Sequence, residues 1–191
     1  AYVRRVPKGP VLAISPFNFP LNLVAHKVAP AIAVGAPVVL KPAPKTPLSA
    51  LLLGELLHNT DLPAGMVNVI NVQNDQAKDL VADPRLPVVS FTGSGPVGYA
   101  IQEQVPGKHV VLELGGNAAV VVAADWSSDE DLDWAATRIA NFGNYQAGQS
   151  CIGVQRVYAD GSLYDALRDR IVTRVEALRT GDPKDPETFV G

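Results

Sequence analysis

The sequence predicts an α/β fold, a parallel sheet with helices on both faces, followed by the beginning of a second α/β unit. Three observations predict it. Short β-branched runs alternate with longer amphipathic ones. The stretches between those runs are long enough for the crossovers that parallel strands require. The strand runs are also almost continuously apolar, as strands covered on both faces are.

Taken in order, residues 11–15, 38–41, 66–70, 88–91 and 110–114 read as strands, each bounded by Gly or Pro. The clearest helix between them is 47–58: Thr46 is placed to cap it, Pro47 suits its first position, and Leu48, Leu51, Leu52 and Leu56 share one apolar face. After Leu114 the rhythm changes. The run Glu113-Leu114-Gly115-Gly116-Asn117 interrupts it, and then come a strand over 118–123, a helix over 128–141, a loop carrying Cys151, a strand over 154–159 and a helix over 163–178. A boundary at the two glycines divides the chain into domains 1–115 and 116–191.

Composition narrows the function classes. With 47% hydrophobic and 18% charged residues the chain is globular and not disordered. A formal net charge of −3 with interspersed signs gives no reason to expect nucleic acid or an acidic membrane as a partner. The most apolar stretch, 28–40, is too short to span a bilayer and holds Pro30, Gly35 and Pro37. Arg4 and Arg5 lead into a strand pattern and not a long apolar region, so no signal peptide is predicted. The single cysteine, Cys151, rules out an internal disulfide and a cysteine-rich zinc site. His26, His58 and His109 show no metal-ligand spacing; His26 is expected to pack in the helix after residue 18, and His58 suits a helix C-terminus.

Gly93-Ser94-Gly95-Pro96-Val97-Gly98 fits the G-x-G-x-x-G pattern of Rossmann-like sheets, after a strand and at the opening of a helix. Such a turn offers backbone N–H groups and a positive dipole end to a phosphate. Glu113 lies 20 residues after Gly93, where that pattern wants a ribose-binding acid. It is equally a candidate general base.

Five motifs in one order carry a resemblance: Pro16-Phe17-Asn18-Phe19-Pro20, Lys41-Pro42-Ala43, Phe91-Thr92-Gly93-Ser94, Glu113-Leu114-Gly115-Gly116 and Gly148-Gln149-Ser150-Cys151. Together they resemble the signature set of the NAD(P)-dependent aldehyde dehydrogenase superfamily, and they cover essentially the whole chain. The resemblance implies a partial NAD(P)-binding domain followed by a partial catalytic domain. It implies Cys151 as nucleophile, Glu113 as the base that activates water, and Asn18 as an oxyanion donor. It further implies cofactor contacts from Pro16, Phe17, Lys41, Gly93, Ser94, Gly98 and Leu114, with Gly95 matching the glycine pattern by accident. Glu113 is expected to be partly buried with a raised pKa.

Many NAD-preferring members carry an acid three positions after the lysine, where this chain has Pro44 followed by Lys45. NADP is therefore expected to be tolerated or preferred. Members are much longer, so the resemblance implies a central fragment with exposed apolar surface and little turnover by itself, derived from a homodimeric or homotetrameric parent. A small aldehyde is the implied substrate, and a thiolate that must stay reduced suits the cytoplasm. The competing readings are an acylating dehydrogenase, whose members generally lack the glutamate, and a non-catalytic dinucleotide-binding fragment.

Overall fold

The computed structural model describes residues 1–4 and 6–191; Arg5, part of the N-terminal reading above, lies outside the described residues. The chain divides into two compact units, Ala1–Leu114 and Gly115–Gly191.

In the first unit, strands β1 (Val11–Ile14), β2 (Val38–Lys41), β3 (Val67–Val69), β4 (Val88–Thr92) and β5 (His109–Glu113) form a parallel sheet in the order β3-β2-β1-β4-β5. Helices α1 (Asn22–Ala33), α2 (Leu48–His58), α3 (Ala77–Ala82) and α4 (Gly95–Gln104) make the crossovers. The predicted parallel sheet with helices on both faces is what forms. Its central strand shows why: successive side chains of a strand point to opposite faces. Leu12 and Ile14 enter a core with Val81 of α3 and Ile101 of α4. Ala13 enters a second core with Val24 and Val28 of α1 and Ala50 of α2. A slip of one residue would exchange these two sets, so the register is strongly specified.

Three local expectations need correction. Thr46 does not cap α2: Pro47 holds the cap position, no side-chain cap bond forms, and the Thr46 hydroxyl donates instead to the Phe17 carbonyl at 3.2 Å. The face of α2 marked by Leu48, Leu51, Leu52 and Leu56 is exposed, while small Ala50 is buried and Leu53 and Leu57 pack against the core. The helix is apolar nearly all round, so periodicity could not choose its inner face. His26 is exposed on α1; the buried positions are Val24, Lys27, Val28 and Ala31.

The second unit pairs β6 (Ala118–Val122) in parallel with β7 (Val154–Ala159), and helices α5 (Asp129–Asn144) and α6 (Tyr164–Glu176) pack on them. Ser128 starts α5 by accepting a hydrogen bond from the Asp131 amide at 3.1 Å, with Asp129, Glu130 and Asp131 in the first turn facing the positive end of the helix dipole. Asp133 of α5 accepts from Arg170 and Arg174 of α6 at 3.1 and 2.9 Å. These pairs are surface contacts of small worth, so the apolar cluster of Leu132, Ala136, Ile139 and Leu167 carries the packing of the two helices.

The glycines of the β4–α4 turn differ in what they permit. A Cβ on Gly98 would lie 2.6 Å from Leu114 Cδ2, whereas one on Gly95 would meet only Tyr99 at 3.7 Å. Gly98→Ala is expected to cost about 1–3 kcal/mol through overpacking, with Gly95→Ala neutral or slightly stabilising. Thermal melts of the two variants check this; equal melting temperatures would remove close helix–strand approach as the reason for glycine at 98.

Candidate functional site

Parallel strands send all their carboxyl ends to one edge, and the candidate residues of the first unit gather there. From β1 the chain runs into Pro16, Phe17 and Asn18; β2 ends at Lys41; β4 ends at Thr92 and continues into Gly93 and Ser94; β5 ends at Glu113 with Leu114 next. The registers align these ends: Ile14 stands opposite both Lys41 and Phe91, and Thr92 opposite Glu113. Strand order reverses direction about β1, whose neighbours are β2 on one side and β4 on the other. In open parallel sheets the crevice at such a switch point is where ligands bind.

Short-range bonds hold this edge. Gly93 N–H donates to the Glu113 carbonyl at 3.0 Å, and Ser15 N–H to the Lys41 carbonyl at 3.2 Å. The Lys41 ammonium donates to Asn74 Oδ1 at 2.7 Å and to the Pro42 carbonyl at 3.3 Å. Lys45 Nζ sits 5.5 Å from the centre of the Phe17 ring. A Cβ on Gly93 would fall 2.5 Å from the Phe91 ring. Ser94 is the residue preceding α4, yet its side chain makes no cap bond. The hydroxyl and the first-turn amides of this helix, which have no intrahelical partners, are suited to oxygen ligands. Asn18 is half-buried with its Oδ1 inside.

Glu113 is exposed and not partly buried. It ends an edge strand that is paired on one side only, and β5 alternates exposed and half-buried positions with Glu113 on the exposed set. The nearby buried ionisable group is Lys27. It is 6% exposed and donates to Ser90 Oγ at 3.0 Å. Burial lowers its pKa to about 8, against the opposing pull of the Glu113 carboxylate. Sequence reasoning missed Lys27, although a signal existed. It occupies the same stripe as Val24, Val28 and Ala31, and a lysine on the buried face of an amphipathic helix is uncommon without a partner. Asn74 was missed too, and nothing in its polar loop sequence points to it.

Cys151 lies in the second unit, free and exposed, between α5 and β7. The 3-10 turn Tyr145–Gly148 precedes it, with Gln146 and Ala147 both at φ 53° and Gly148 at +73°. Left-handed non-glycine residues cost of the order of 1–3 kcal/mol each, so the surrounding bonds must hold them. The Tyr145 hydroxyl and Ser150 Oγ share a hydrogen bond of 2.6 Å across the turn. A Cβ on Gly116 would lie 3.0 Å from the Cys151 carbonyl oxygen, which accounts for a small residue at the second glycine of the Glu-Leu-Gly-Gly run. A cleft of about 660 Å³, lined by Val120, Trp126, Trp134, Arg138, Phe142 and Ile152, runs alongside; Cys151 is not among its lining residues. Among the described residues no group of three or more His, Cys, Asp or Glu could hold a metal ion, and no helix is long and apolar enough to cross a membrane.

Comparison with known proteins agrees with the motif order. The model of the aldehyde dehydrogenase family matches residues 1–191, and the chain belongs to that family. It is 40% identical over 192 residues to a 3-sulfolactaldehyde dehydrogenase of Priestia aryabhattai, covering 100% of this chain and 39% of that protein. The structure of aldehyde dehydrogenase 21 from Physcomitrella patens, in complex with its reaction product succinate, matches with a TM-score of 0.90 at 49% identity, over 97% of this chain and 38% of that one. An E. coli NADP-dependent enzyme matches with a TM-score of 0.88 at 36% identity, over 97% and 38%. The chain thus spans less than half the length of these relatives.

Lys27 gives a pH signature. Its folded-state pKa of about 8 lies below the ordinary 10.5, so the unfolded chain binds more protons between these values and the penalty of burying the ammonium fades as pH rises. Stability of the wild type relative to Lys27→Met should therefore increase between pH 8 and 10.5. Urea midpoints of both proteins across that range check it, and a constant difference would contradict the buried-lysine account.

Proposed function

We propose that the protein acts in the oxidation of an aldehyde to a carboxylic acid with NAD or NADP. The observation that carries this reading is the alignment of the Asn18 turn, Lys41, the Gly93–Ser94 turn and Glu113 along the carboxyl edge of one parallel sheet. That edge fits a dinucleotide on its own terms. The β4–α4 turn leads into the amino-terminal end of α4, whose first-turn amides suit a pyrophosphate. Lys41 supplies a fixed cation at the end of β2, and Pro16, Phe17 and Leu114 complete the edge. In this reading residues 1–115 are the partial NAD(P)-binding domain and 116–191 the partial catalytic domain. Small aldehydes are the substrate class, and a homodimeric or homotetrameric parent is the expected assembly.

Each chemical role follows from what the side chain can do. As thiolate, Cys151 adds its sulfur to the carbonyl carbon while the π electrons move to oxygen. That oxyanion accepts hydrogen bonds from the Asn18 side-chain amide and the Cys151 backbone N–H. Losing one such donor typically costs about 10²–10³ in rate. A bound nicotinamide supplies the hydride acceptor for the tetrahedral adduct. Glu113 takes a proton from the water that hydrolyses the Cys151 thioester, a contribution of about 10²–10⁴ for a placed base. The retained glutamate favours hydrolysis over transfer of the acyl group to another acceptor.

Two outcomes are expected. Iodoacetamide should label Cys151 rapidly, an aldehyde should protect it, and Glu113→Gln given aldehyde and NADP should accumulate an acyl adduct on Cys151 visible by intact-mass spectrometry. Slow, unprotected labelling would instead favour a non-catalytic dinucleotide-binding module. With Pro44 where a carboxylate would repel a 2′-phosphate, KM for NADP should be no more than about a hundredfold above that for NAD. Steady-state titration with both cofactors decides this, and a wider gap would refute NADP tolerance.

A further inference from the structure

Lys41 is buried to 2% exposure at the end of β2, and its bonded partners are both neutral: the Pro42 carbonyl and Asn74 Oδ1. No carboxylate lies within ion-pair distance of it among the described residues. The adjacent acid, Asp75, uses its Oδ1 to accept from the Gln76 amide. Burial lowers the Lys41 pKa, with no acidic neighbour acting to hold it up. The ammonium therefore brings an uncompensated positive charge to the edge.

The orientation of the Asn74 amide is fixed by chemistry. An ammonium has three donors and no acceptor, so the atom at 2.7 Å from it must be the amide oxygen. The amide nitrogen, with its two N–H donors, is turned away from Lys41. Asn74 itself is exposed. Lys45, also exposed, adds a second ammonium in the loop that follows β2. The Lys41 and Lys45 ammoniums and the Asn74 amide nitrogen thus supply donors and positive charge here. A 2′-phosphate is an anion that only accepts, and it matches such a surface. A ribose diol is neutral and gains far less from that charge.

We propose that Asn74, through its bond to Lys41, sets the site's preference for the 2′-phosphate of an adenine dinucleotide over a bare ribose diol. This rests on the reading of Lys41 as the contact to the adenosine ribose. Asn74 is a specificity residue that acts jointly with Lys41, and a carboxylate in its place would both neutralise the ammonium and accept from the diol.

The test is calorimetric binding of 2′,5′-ADP, which carries the 2′-phosphate, and of 5′-AMP, which carries the diol, to the 191-residue chain and its variants. The wild type should favour 2′,5′-ADP. Asn74→Asp should shift the affinity ratio toward 5′-AMP by about tenfold or more, chiefly by weakening 2′,5′-ADP. Asn74→Ala removes the amide donors without adding charge, and it should move the ratio part of the way; it carries the test if the aspartate variant does not fold. General loosening of the loop would weaken both ligands together and leave the ratio intact. Wild-type ratios in both Asn74 variants, with 2′,5′-ADP still weakened by Lys41→Ala, would overturn the role of Asn74 alone. Affinities unchanged by Lys41→Ala would overturn the reading of Lys41 and this proposal with it.

Discussion

The parallel, in-register pairing of β1 with β2 on one side and β4 on the other is the constraint on which the first unit depends. Backbone hydrogen bonds fix the alignment, and burial of alternate side chains in two separate cores keeps it from slipping. Leu12 and Ile14 belong to one core and Ala13 to the other. Because every strand runs the same way, every carboxyl end reaches the same edge, and the residues just beyond those ends become neighbours though far apart in sequence. The edge has chemical content because the fold has this direction.

Two lysines of the first unit are buried, and they differ in what surrounds them. Lys27 reaches from α1 to Ser90 on β4 and feels the Glu113 carboxylate. Lys41 has only neutral partners. An ammonium taken out of water is expensive unless it is hydrogen-bonded, so neither position is explained by packing alone. The first places a proton-exchanging group near the candidate base. The second places a positive charge at the carboxyl end of β2. In the second unit the comparable cost is conformational, two left-handed non-glycine residues just before Cys151, held by the Tyr145–Ser150 bond.

The strands and most helices could be read from the chain because their signals are local. Apolar runs bounded by Gly or Pro announced the strands of the first sheet, and the glycine turn announced the start of α4. The ordered motifs identified the family. What could not be read depends on choices made in three dimensions. Helix α2 is apolar nearly all round, so the leucines that looked like an inner face are the outer one, and Thr46 turns to the Phe17 carbonyl. Glu113 is exposed because β5 is an edge strand, which strand order decides. Lys27 could have been found from its place in an apolar stripe, whereas Asn74 meets Lys41 only through the packing of a polar loop.

The claim at the centre of this account is that a dinucleotide lies along the carboxyl edge of the first sheet. Backbone amide spectra of the isotope-labelled chain, titrated with NADP, test it most directly. The account predicts saturable shifts at Lys41, Asn74, Gly93, Ser94 and Val97, with the amino-terminal ends of the same strands unmoved. Shifts confined to the opposite edge of the sheet, or a spectrum that NADP leaves unchanged at millimolar concentration, would contradict it.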